Sequence, residues 1–139
     1  MHTKMTLSHA DAMTIINAIR ERADAEKAGL AAAVVDEYGE LIAFLRTDGC
    51  RLPPIQIALN KAYTAAREQI ESKELGNRAL SAEDGFPMTN FGELRYVTWG
   101  GGIPIVYQGQ VVGAVGVSGL PEAVDIEYAK LGLAALNLD

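Results

Sequence analysis

The chain of 139 residues has one cysteine, two histidines and no run of basic residues, and each scarcity excludes something. A lone thiol, Cys50, cannot form an internal disulfide or a multi-thiolate zinc site. With only His2 and His9 available, an HExxH-type metal cluster is absent, and no metal site is expected. The net charge of -6 and the lack of clustered lysine or arginine argue against a nucleic-acid or anionic-membrane partner. No apolar run approaches the roughly 20 residues of a membrane-spanning helix. The opening stretch MHTKMTLSHADAM is polar, unlike a secretory signal. A cytoplasmic, reducing setting is therefore the expectation.

What is present is ordinary globular material, 49% hydrophobic and 22% charged. A chain of this length fits one domain, residues 1–139, and can bury roughly 68% of its unfolded surface. Thr6 to Ala28 reads as a helix. Ser8 and Asp11 have capping-box spacing, Ala12, Ile15, Ile16, Ile19 and Ala23 form an apolar stripe, and Gly29 is placed as the left-handed stop. LAAAVVDEYGELIAFLR, Leu30 to Arg46, reads as a hairpin turned at Gly39. Its strands are apolar on both faces, which predicts a central hairpin covered on both sides. A helix follows the loop TDGCRLPP, over Ile55 to Glu71, with a short one after it capped by Ser72. Leu94 to Thr98 reads as a short strand. Ile103 to Val117 forms a second hairpin around Gln108-Gly109, and Pro121 opens the last helix. The sum is an α+β domain with an antiparallel sheet of about five strands and packed helices.

The densest segment, WGGGIPIVYQGQVVGAVGVSG from Trp99 to Gly119, allows three uses of its glycines. A phosphate cradle is disfavoured, because Gly100-Gly101-Gly102 precedes a strand and Gly113, Gly116 and Gly119 fit no nucleotide fingerprint. Close approach of a helix or second subunit suits Gly113 and Gly116. A ligand floor suits Gly100 to Gly102, with Trp99 stacking on the ligand and Ser118-Gly119 leading an anion to a helix N-terminus.

Other side chains have two readings each. Lys61, on an alanine-rich helix, either snorkels or pairs with a ligand carboxylate. Arg46, Asp48 and Arg51 form a surface ion-pair cluster or the wall of an anion pocket. His9 is a solvent-facing residue or an axial ligand. Asp125 and Glu127 suit a helix N-terminus through the dipole alone. No nucleophile motif or spaced carboxylate pair marks a catalytic residue.

The pieces AVVDEYGELIAFLRTDG, ALNKAYTA, GGGIPIVYQGQVVGAVGVSG and DIEYAKLGL together resemble the heme-binding HbpS and GlcG-like family. The resemblance runs from about Thr6 to Leu136 and extends to the C-terminal domain of PduO-type proteins. It implies a profilin-like arrangement, homo-oligomeric assembly, and heme or a related flat cofactor as ligand. A histidine in the N-terminal helix region serves heme in the family, and His9 is the nearest candidate here. Arg95, Tyr96 and Trp99 can also define a pocket for a smaller anionic or aromatic molecule. The candidate ligand-binding set is His9, Arg46, Lys61, Arg95, Trp99, Gly100, Gly101, Gly102, Ser118 and Gly119. The alternative function is a small catabolic enzyme, an isomerase, lyase or hydrolase, acting on an organic acid or aromatic-breakdown intermediate through Lys61, Arg46, Arg95 and Ser118.

Overall fold

Two hairpins supply the strands of the computed structural model, which describes residues 1–138. The order is α1 (His9–Glu26), β1 (Ala31–Asp36), β2 (Leu41–Arg46), α2 (Pro53–Glu68), α3 (Ser72–Ala79), a 3-10 turn (Met88–Phe91), β3 (Gly102–Tyr107), β4 (Gln110–Ser118) and α4 (Glu122–Ala134). In the first hairpin, Asp36 Oδ1 accepts from the backbone N–H of Tyr38 at 2.8 Å and of Glu40 at 3.0 Å. Gly39 then takes φ +90°, open to glycine without strain. In the second, Gln108 and Gly109 both have positive φ, 49° and 75°, as the favoured two-residue hairpin turn requires.

The strands form one antiparallel sheet in the order β2-β1-β4-β3. It has four strands among the described residues, not five. Leu94 to Thr98 is irregular because side chains take its backbone donors: Val97 N–H donates to Thr64 Oγ1 at 2.9 Å, and Arg95 N–H to Glu93 Oε1 at 3.0 Å. The first hairpin is also only half central. β1 lies inside the sheet and its first five residues are buried, whereas β2 is an edge strand with Leu41 exposed.

Helices cover both faces. α1 and α4 pack on the face presenting Ala32, Val34, Ile103, Ile105, Val115 and Val117. Ile15 and Ile19 of α1 are wholly buried there, each worth about 1.5–3 kcal/mol of transfer free energy. The opposite face presents mostly small residues to α2, with Val35 and the half-buried Phe44 as its larger members. Ala33 pairs with Gly116, and Gly116 with Gly102, making one cross-sheet row. A Cβ on Gly116 would run into the Ala58 carbonyl and Ala62 nitrogen, and one on Gly102 into the Lys61 carbonyl. α2 therefore lies backbone against backbone on the sheet.

Helix ends depart from expectation in instructive ways. Ser8 caps α1, accepting from Asp11 N–H at 3.1 Å. The left-handed stop is Lys27 at φ 52°, not Gly29, which instead lets the chain pass Gly49 where a Cβ would lie 2.6 Å from its carbonyl oxygen. α2 stops at Glu68, with Gln69 left-handed at φ 59°. Glu71, not Ser72, occupies the N-cap of α3. The Ser72 hydroxyl is engaged elsewhere, donating to the Trp99 carbonyl at 2.6 Å and accepting from Gly102 N–H at 3.0 Å.

Candidate functional site

The glycine corner at the start of β3 closes over a buried ion pair. Lys61, on the sheet-facing side of α2, has no solvent exposure, and Asp125, in the first turn of α4, is 3% exposed. Lys61 Nζ donates to Asp125 Oδ2 at 3.1 Å and to the Val117 carbonyl at 2.8 Å. Asp125 Oδ1 accepts from Leu120 N–H at 3.1 Å. Burial pulls the Lys61 pKa down, opposed by the Asp125 charge. Burial pushes the Asp125 pKa up, opposed by Lys61. Gly101, at φ +126°, leaves room for the ammonium: a Cβ there would sit 2.8 Å from Nζ. Gly100 packs against Ile126, and its N–H donates to Glu122 Oε1 at 3.2 Å, a carboxylate also paired with Lys73 at 2.8 Å. Contacts within the chain thus account for all three glycines.

A second polar cluster lies at the C-terminal half of α2. Tyr63 OH donates to Glu93 Oε2 at 2.6 Å and accepts from Arg95 Nη2 at 2.7 Å. Arg95 also grips Glu93 through Nε at 2.9 Å and Nη2 at 3.0 Å, while its guanidinium carbon stands 3.9 Å from the Tyr63 ring centroid. The Arg95 and Tyr63 hydrogen bonds hold the Glu93 pKa down at about 2. Phe86, Phe91, Tyr96 and Tyr63 form a chain of ring contacts beside this cluster.

The third feature is a hollow of about 450 Å³ at the N-terminal end of α1, between the first residues of the chain and its C-terminal tail. Met5, Leu7, Val112, Leu136 and Leu138 give it an apolar lining, with Thr6, Asp11 and Tyr107 as its polar members. The segment before α1 is fixed here by Leu7 N–H donating to the Val112 carbonyl at 3.0 Å and by Thr6 Oγ1 donating to Glu37 at 2.5 Å. Gly113 admits the Leu7 side chain, whose Cβ would be 3.3 Å from an added methyl.

The structure does not gather the sequence-derived candidates into one place. Lys61, Gly101, Gly102 and the end of β4 at Ser118 meet at the glycine corner, where Ser118 is 5% exposed. Gly119, at φ +124°, passes the Gly29 carbonyl oxygen at 2.9 Å from a would-be Cβ. Arg95 belongs to the Tyr63 cluster, Arg46 is exposed at the end of β2, Trp99 is 47% exposed, and His9 is exposed as the first residue of α1. Sequence reasoning missed Tyr63 and Glu93, and it gave Asp125 only a dipole role. Glu93-x-Arg95 carried a local signal of opposite charges two residues apart. The 64-residue separation of Lys61 and Asp125 carried none.

An α+β sheet of this order, clasped between α2 and an α1–α4 pair, defines a class that comparison with known proteins identifies. The family model described as "Haem degrading protein HbpS-like" matches residues 7–134, and the chain belongs to the HbpS-like family. It is similar to protein GlcG of Escherichia coli, 38% identical over 121 residues that span 85% of each chain. Among solved structures it is similar to protein ORFY of Klebsiella pneumoniae, with TM-score 0.90 and 25% identity over 99% of this chain and 94% of that one. It is equally similar in sequence to the crystallised PduOC–heme complex, with TM-score 0.87 and 25% identity over 97% of this chain and 98% of that one.

Proposed function

We propose that this chain is a small-ligand-binding protein that takes heme or a related flat cofactor in the hollow at the start of α1. The observation that carries the reading is the hollow itself, about 450 Å³ and largely apolar, in a fold shared with a protein crystallised with heme. Its size lies in the range of ligand sites, about 300–1,000 Å³. Its residues suit the group. Tyr107 and Met5 bring a phenol and a thioether to the lining, both of which serve as axial ligands of heme iron. His9 stands two residues from each of Leu7 and Asp11, which line the hollow, and adds an exposed imidazole. Among the described residues, Asp11 is the one charged side chain in the lining, and no cation there would pair with a heme carboxylate. Bound heme would supply the ligand-binding and redox chemistry of its iron. The chain's own part is to exclude water with Met5, Leu7 and Leu136 and to offer the ligating atom.

The competing reading, a catabolic enzyme acting on an organic acid, draws on Lys61, Arg46, Arg95 and Ser118. Lys61 and Ser118 are buried and Arg95 is gripped by Glu93, which weighs against it. Assembly as a homo-oligomer is part of the proposal, supported by exposed Leu80, Leu94 and Trp99 on the segment around the 3-10 turn. A cytoplasmic setting, expected from the sequence, is part of it too.

The test is an absorbance titration of the heme-free protein with hemin, read in the Soret region, beside His9→Ala. A saturable shift lost in the variant supports heme binding at the start of α1. A saturable shift retained in the variant moves the iron ligand to Tyr107 or Met5. No saturable shift overturns the reading.

A further inference from the structure

A smaller hollow of about 120 Å³ lies between the β1–β2 turn and α2, apart from the one assigned to heme. Leu41, Leu59 and the Tyr63 ring form its apolar wall, and Glu40, Gln56, Asn60 and Arg95 are its polar lining. Each of these four polar side chains keeps an unused group among the described residues. Arg95 commits Nε and Nη2 to Glu93 and Tyr63, leaving Nη1 free. Asn60 Oδ1 accepts from Gln56 Nε2 at 2.8 Å, which leaves the Asn60 amide nitrogen as a donor and the Gln56 carbonyl as an acceptor. The Glu40 carboxylate has no hydrogen-bond or ion-pair partner among the described residues; only its backbone is engaged, its N–H donating to Asp36 Oδ1 and its carbonyl accepting from Asp36 N–H. Glu40 is close enough to reinforce, through its charge, the upward shift of the Arg95 pKa that the Glu93 hydrogen bonds dominate.

One small cavity is therefore lined by a cation with an amide donor and by a carboxylate with an amide acceptor. We propose that it binds a small zwitterion of the α-amino-acid class, its carboxylate on Arg95 and Asn60 and its ammonium on Glu40 and Gln56. A simple anion would face Glu40 and a simple cation would face Arg95, so either single charge is disfavoured where the pair is matched. The volume equals that of roughly four liquid waters, which limits the ligand to a few non-hydrogen atoms and a short side chain. The Glu93 grip and the Tyr63 ring hold Arg95 in place before binding, so little ordering cost remains for that group. With so few atoms, the affinity is expected in the millimolar range.

The test uses L-alanine as probe, with propionate and ethylamine as its singly charged counterparts. Backbone amide chemical shifts of the full chain are followed by NMR. Alanine is expected to shift Gly39, Leu41, Asn60 and Arg95 saturably, at a concentration at least tenfold lower than either counterpart. Glu40→Gln, at an exposed residue without partners, should keep the folded spectrum and weaken alanine at least tenfold. No saturable alanine shift at these amides overturns the proposal. So does equal binding of either counterpart, or unchanged alanine binding in Glu40→Gln. The hemin titration reads a different site, so failure of one leaves the other standing.

Discussion

Lys61 and Asp125 form an ion pair almost closed off from water: 3.1 Å apart, 0% and 4% exposed at their side chains, and joined across 64 residues of sequence. Lys61→Met would leave the Asp125 carboxylate buried without its counter-charge, a loss of about 3–5 kcal/mol. Lys61→Met/Asp125→Leu removes both charges and is expected to recover most of that loss, because a buried pair barely repays its own desolvation. Urea unfolding of both variants at pH 7 checks this. In Lys61→Met alone, Asp125 can be accommodated by taking up a proton. Its folded pKa then lies above its unfolded value, so the variant's deficit should widen as pH rises from about 4.

Gly116 has ordinary backbone angles, so a substitution there tests space alone. Gly116→Ala drives a methyl into the backbone of α2 and is expected to cost more than about 3 kcal/mol, at or beyond the usual range for overpacking. Gly49→Ala is the control. Gly49 has φ +81° and nothing within 4 Å of a would-be Cβ, so only the left-handed strain of about 1–2 kcal/mol applies. Thermal unfolding of the two variants should separate the two effects.

Glu93 has a pKa lowered from 4.5 to about 2 by its hydrogen bonds to Arg95 and Tyr63. A carboxylate with a depressed folded pKa stabilises the fold fully above its unfolded pKa, and that contribution disappears as pH falls through the folded value. Wild type should therefore exceed Glu93→Gln in stability by a constant margin above about pH 5. The margin should narrow between pH 4.5 and pH 2, the window set by the shift. Chemical denaturation midpoints across that range give the readout. A margin that stays constant down to pH 2 refutes the assignment.

Ser8→Ala removes the N-cap of α1 and is expected to cost about 1 kcal/mol, a few degrees in Tm. The same loosening acts on His9 and on the end of the hollow near Asp11. Hemin affinity should fall with it, while the alanine-induced shifts remain as in wild type.

The elements were legible where the signal was local. Ser8-x-x-Asp11, Gly39 and Gln108-Gly109 each determine their own cap or turn, and all three do so in the structure. The apolar stripe of α1 is the buried stripe. Errors arose where a distant residue decided the outcome. Leu94 to Thr98 has the composition of a strand, but the hydroxyl of Thr64 and the carboxylate of Glu93 occupy its donors. Lys27 takes the left-handed stop expected of Gly29, while Gly29 gives the backbone room to pass Gly49. Lys61 stood out in an alanine-rich helix, yet nothing near it in sequence pointed to Asp125. The hollow at α1 is formed by both ends of the chain and β4, and no periodicity brings Met5, Val112 and Leu136 together.

The row Ala33, Gly116 and Gly102 has a mechanical consequence. Side chains usually act as a cushion between a helix and a sheet, letting one slide or tilt by an ångström as rotamers adjust. Along this row that cushion is missing, and main-chain atoms of α2 abut main-chain atoms of β3 and β4. Helix and sheet must then move as one plank. Any response to a bound molecule is left to segments outside this contact, such as the chain before α1 and the tail after α4.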